Sequence, residues 1–173
     1  MGCVSSSETA TLSTAGAVRA YFGAIEAQDL DGMAAQWKPG SIDYFYGIAE
    51  LSVPGDLREW FGNVFAAFPD FKMVVTDLIS EGNQAAVRWR ATGTFNGTGK
   101  FEGMIPNGAS IEIEGLDLLT VEDGLIVENH AYTNAMDTAR KLGALPPQQS
   151  IGEKAMLGAF NAKTRLTSPF KRS

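Results

Sequence analysis

The chain has 173 residues, is 45% hydrophobic with three Trp, four Tyr and ten Phe, and carries a formal charge of −6 with a pI near 4.8. That is enough for one globular domain with a real core, and the acidic balance argues against a nucleic-acid partner. One cysteine, Cys3, excludes an internal disulfide framework and suits a cytoplasmic location; one histidine, His130, leaves zinc without ligands, so neither metal nor cofactor is expected.

In chain order, Ser13 or Thr14 caps a helix whose Val18, Tyr21, Phe22 and Ile25 recur at helical spacing. A short second helix is expected over Met33 to Trp37, broken by Pro39-Gly40, after which SIDYFYG reads as a strand with Tyr44 and Tyr46 on one face. PGDLREWFGNVFAAFPDF then carries a helical stripe of Leu57, Trp60, Phe61, Val64, Phe65 and Phe68, ended by Pro69. From Phe71 the period changes to two. Strands meet at Gly82-Asn83, PNG at Pro106 to Gly108 turns the chain, and IEIEGLDLLTVEDGLIVENHAYTN reads as a hairpin about Asp123-Gly124. Asn134 to Leu142 closes as a short helix. Helices followed by a run of strands predict an α+β fold with helices packed on one face of a curved antiparallel sheet.

The hairpin poses a chemical question. Asp117 lies in the row Ile111, Ile113, Gly115, Asp117, Leu119, Val121, on the buried side of its strand, where an unpartnered charge is costly. A regular two-residue turn pairs Glu122 with Leu125 and brings Asp117 opposite His130, with Tyr132 and Asn134 following on the same face. An aspartate orienting the histidine would make it a general base, and Tyr132 or Asn134 would donate to a developing oxyanion. A bulge at the turn would instead set Ala131 opposite Asp117 and separate the pair. A satisfied buried contact with no catalytic role is the competing interpretation. Arg88 and Arg90 share a face, as pocket cations or as surface or interface ion pairs. Tyr46 is assigned to the pocket mouth and Trp37, Trp60 and Phe65 to the pocket wall, with core packing as the default for the aromatics.

Two stretches stand apart. MGCVSS fits acylation at Gly2 and Cys3, which would give membrane association. Residues 147–173 carry Lys154, Lys163, Arg165, Lys171 and Arg172 against Glu153, a net +4 set against −10 for the rest, with Ala155, Met156, Ala159 and Phe160 as one helical stripe. The expected organisation is therefore a flexible 1–12, a domain over 13–146 and a basic tail.

FAAFPDFKMVVTDLISEGNQAAVRWRATGTFNG, followed by PNGASIEIEGLDLLTVEDGLIVENHAYTNAMDTARKLGALP, resembles the SnoaL-like polyketide cyclases and ester cyclases of the superfamily named for nuclear transport factor two. The resemblance implies a cone-shaped fold, a strongly bent antiparallel sheet around N-terminal helices and an internal pocket, and a homodimer formed through the sheet. Activity would be cofactor-independent: acid/base cyclisation, isomerisation or hydrolysis of a hydrophobic carbonyl, ester or epoxide. The aldol-type cyclases' acid/base aspartate corresponds to Ala131 here and its histidine partner to Asp117. The epoxide-hydrolase carboxylate corresponds to Asn134, and Arg90 is followed two residues on by Thr92 where those enzymes hold a second aspartate. The rival expectation is a non-catalytic module that holds a small apolar ligand or serves as a dimerising scaffold.

Overall fold

The structure, a computed structural model, describes residues 12–167. Helix α1 (Thr14–Glu26) begins where Ser13 accepts a hydrogen bond from the Gly16 amide, and it buries Ala17, Val18, Tyr21, Phe22 and Ile25 along one face. Helix α2 (Leu30–Ala35), capped by Asp29, stops two residues short of Trp37. Trp37 instead opens strand β1 (Trp37–Phe45), which runs through Pro39-Gly40 with an irregularity in its pairing between Trp37 and Ile42. A short strand, β2 (Ala49–Ser52), has no counterpart in the sequence reading. Its four residues are too few to show a period. Helix α3 (Gly55–Ala67) follows, then β3 (Lys72–Glu81), β4 (Gln84–Thr94), β5 (Ser110–Glu122), β6 (Leu125–Thr133), α4 (Ala135–Lys141) and α5 (Ile151–Thr167).

The six strands form one curved sheet in the order β2-β1-β6-β5-β4-β3, completing an α+β cone with the N-terminal helices against its inner face. All neighbours pair antiparallel except β1 and β6, which run parallel. Parallel neighbours need a long connection, and α3 with four intervening strands supplies it. Bulges between Val75 and Asp77 and between Thr120 and Val121 add local bend. The FPDF and GTF segments are tied together: Asp70 accepts from the Thr94 amide at 2.7 Å and its hydroxyl at 2.8 Å, which holds the Asp70 carboxyl below the usual carboxylate range. Asn107 of the PNG turn donates to the Leu142 carbonyl, joining that turn to the end of α4.

The β5–β6 turn has the expected two residues, with both Asp123 (φ 51°) and Gly124 (φ 79°) in the left-handed region that such a turn requires. Glu122 faces Leu125 and Val121 faces Ile126, but Thr120 then faces Glu128. The extra residue, Val127, shifts the remaining pairing by one. Asp117 faces Ala131, and His130 faces Leu118. The Asp117–His130 dyad is therefore corrected: a one-residue slip sends each side chain beyond it to the opposite side of the sheet. The inward residues of β6 are Ile126, Asn129 and Ala131, all buried, followed by the half-buried Thr133.

Helix α5 has no buried residue. It is held at its first turn, where Glu153 pairs with Arg140 at 2.9 Å and accepts from the Gln149 amide at 2.6 Å. Gly2, Cys3, Lys171 and Arg172 lie outside the described residues. No helix among the described residues is long and apolar enough to cross a membrane.

Candidate functional site

The inside of the cone holds a cavity of about 250 Å³, somewhat below the roughly 300–1,000 Å³ usual for drug-sized ligands. Its wall is almost wholly apolar. Helix α3 contributes Trp60, Phe61 and Val64, the sheet contributes Trp89, Ile113 and Ala131, and α4 closes one side through Thr138 and Leu142. Trp60 packs against Phe45 at 4.8 Å and Phe61 at 4.9 Å between ring centroids, so aromatic edges and faces fix the wall. Gly115 is obligatory behind it, since a Cβ there would stand 2.1 Å from Trp89 Cζ2.

Behind Trp89 and Ala131 lies a buried polar cluster. Asp117 accepts from Trp89 Nε1 at 2.7 Å through Oδ1 and from Asn129 Nδ2 at 3.0 Å through Oδ2. The same Asn129 Nδ2 donates to Asp43 Oδ1 at 2.9 Å, and the Tyr21 hydroxyl stands 3.4 Å from Asp43 Oδ2. Asp43 and Asn129 are fully buried and Asp117 is 4% exposed. Burial raises the Asp117 carboxyl to about 6 despite two donors that favour its charged form, and it lifts Asp43 well above the usual range, with the charge of Asp117 adding to the effect. Burial and the neighbouring carboxylates likewise push the Tyr21 phenol up.

Other expected site residues lie elsewhere. His130 is on the outer face of the sheet, in a cluster with Tyr44 (5.2 Å) and Tyr46 (5.7 Å), with Nδ1 joined to the Tyr46 hydroxyl at 2.7 Å. Tyr46 and Tyr132, 45% and 50% exposed, stack there too, which removes both from the cavity. Arg88 pairs with Asp77 at 3.2 Å and Arg90 with Glu112, all exposed, so the surface alternative holds for both. Asn134 caps α4 by accepting from the Asp137 amide at 3.0 Å and is not a cavity donor. Of the three wall aromatics only Trp60 lines the cavity; Phe65 packs behind it on Phe61 and Phe71, and Trp37 is buried edge-on against Tyr21. Among the described residues no group of three His, Cys, Asp or Glu is placed to hold a metal ion.

Asp43, Asn129 and the indole of Trp89 do not stand out in the sequence pattern as site residues. Asp43 was within reach of the pattern, because a strand with Tyr44 and Tyr46 on one face puts Asp43 on the other with Phe45. Asn129 was hidden by the Val127 bulge.

A model of the SnoaL-like domain matches residues 18–129, and the chain belongs to that family. Its fold is shared with AclR, a candidate hydroxylase from Streptomyces galilaeus (24% identity, TM-score 0.69, covering 91% of this chain and 98% of that one). A candidate SnoaL-like polyketide cyclase from Jannaschia sp. CCS1 has 24% identity and a TM-score of 0.68 over 77% of this chain and 93% of that one. IdmH, a candidate polyketide cyclase from Streptomyces antibioticus, has 25% identity and a TM-score of 0.61 over 76% and 99%. No curated protein matches the sequence.

Proposed function

We propose that this chain is a small-molecule enzyme that performs acid/base cyclisation, isomerisation or hydrolysis of a hydrophobic carbonyl compound, ester or epoxide, with Asp117 as the acid/base. The observation that carries the reading is the position of this buried carboxyl. It is bonded to Trp89 and lies across from Ala131, two residues that line the apolar cavity, and its affinity for a proton is matched to neutral pH. The small side chain of Ala131, at the position of the aldol-type cyclases' aspartate, leaves Asp117 as the single carboxylate of that cross-strand pair. Asp117 stands one side chain behind the cavity wall, so as a base it would take a proton from substrate, and as an acid return one, only when Trp89 shifts aside to bring the carboxyl within hydrogen-bond reach. The neighbours' names as polyketide cyclases support this class of chemistry.

A second reading rests on a specific observation: both oxygens of Asp117 already accept hydrogen bonds within the protein. On that reading the cavity only holds a small apolar ligand. A panel of β-keto esters, lactones and epoxides, assayed with wild type and Asp117→Asn, separates the two. Turnover by wild type that falls at least a hundredfold in the variant, with cavity binding kept, supports the enzyme; equal turnover removes Asp117 from the mechanism. Binding without turnover by either protein supports the ligand-holding module.

A further inference from the structure

Asp43 and Asp117 flank one amide. Asn129 commits one Nδ2 hydrogen to each, at 2.9 and 3.0 Å, and its Oδ1 has no hydrogen-bond partner among the described residues. The side chains hydrogen-bonded to the pair are all neutral: the Tyr21 hydroxyl from α1, the Trp89 indole from β4, Asn129 itself from β6. Neither carboxyl forms a salt bridge with a described Lys, Arg or His; the ion pairs all use other, mostly exposed carboxylates. Two ionised carboxylates in such a place would combine desolvation with mutual repulsion, and one proton relieves both.

The donors decide which carboxyl keeps it. Asp117 receives two full hydrogen bonds, at 2.7 and 3.0 Å, and so is the better home for the charge. Asp43 receives one at 2.9 Å and a long one at 3.4 Å. We propose that Asp43 and Asp117 form a proton-sharing pair bridged by Asn129, with the proton resident on Asp43 and the single charge on Asp117. Asp43 is then a positioning residue. By staying neutral it keeps a second negative charge away from Asp117, so that Asp117 alone exchanges protons near neutral pH. That role rests on Asp117 being the acid/base; the sharing of the proton does not. The lift of Asp43 well above the carboxylate range, by burial and then by the charge of Asp117, agrees with this order.

Infrared spectroscopy of the full chain in deuterated buffer tests it without any substrate. At slightly alkaline pH the wild type shows one carbonyl stretch of a buried protonated carboxyl, lost in Asp43→Asn and, with the Asp117 charge gone, titrating away at a lower pH in Asp117→Asn. As the pH falls through the Asp117 titration a second band grows in wild type and Asp43→Asn but not in Asp117→Asn. Asp43→Asn is the informative change, because its amide reproduces the size and neutrality of the protonated acid. No band at alkaline pH, or a band that survives Asp43→Asn, overturns the proposal. Carbon-13 titration of the aspartate carboxyls in the unmutated protein is a second measurement, independent of how the variants fold: one carboxyl stays protonated at alkaline pH, and ionisation of all of them refutes the pair. A failed substrate panel with the expected spectra would defeat the acid/base reading and leave the pair intact.

Discussion

Replacing Trp89 with phenylalanine removes the shortest hydrogen bond to Asp117, the 2.7 Å contact from the indole N–H. A hydrogen bond to a charged acceptor contributes about 1.5–3 kcal/mol, and a tenfold change in proton affinity corresponds to about 1.4 kcal/mol, so the Asp117 carboxyl should climb by roughly one to two further pH units. The direction of the stability change follows from the proton count. The Asp117 carboxyl sits at about 6 in the folded protein against 3.8 ordinarily, so the folded state binds a proton that the unfolded chain has released. The stability linked to this group is full below the ordinary value and is lost as pH rises through the folded one, about 3 kcal/mol in all for wild type. In Trp89→Phe the loss continues to a higher pH. The variant is then weaker than wild type by an extra 1.5–3 kcal/mol or so at alkaline pH, with no such difference at acid pH. The smaller ring also forfeits packing, but by the same amount at every pH. Urea unfolding of both proteins across a pH series measures the difference directly. A destabilisation that is constant with pH would show that the indole does not hold the Asp117 charge, and would refute this account of the cluster.

Two further outcomes are expected. Gly115→Ala places a Cβ 2.1 Å from Trp89 Cζ2, which forces the indole off Asp117; thermal melting should fall by the equivalent of about 1–3 kcal/mol or more, and the Asp117 titration should shift upward as in Trp89→Phe. His130→Ala removes a 2.7 Å bond to Tyr46 and the outer-face stack with Tyr44, costing on the order of 1 kcal/mol in chemical denaturation. Binding of an apolar fluorescent probe in the cavity should not change in that variant. Weakened binding would return His130 to the site.

The local periodicities of this sequence determined its helices and long strands. A 3.6-residue stripe such as Tyr21, Phe22, Ile25 has one way to bury itself, and Asp123-Gly124 supplies the two left-handed residues that its turn needs. The inward direction of Asp117 followed equally from alternation along β5, which its own residues fix. What alternation does not carry is the partner across the ladder. That depends on one residue, Val127, bulging from β6 after an otherwise regular turn, and nothing in Ile126-Val127-Glu128 marks which of them leaves the pairing. The consequence is the exchange of His130, carried to the outer face, for Asn129, carried to the core. The meeting of Asp43 with Asn129 is less local still, 86 positions apart in the sequence and brought together by the parallel β1–β6 pairing. The charge of the site is decided there, since only the closed fold removes water from two carboxyls and leaves one amide between them.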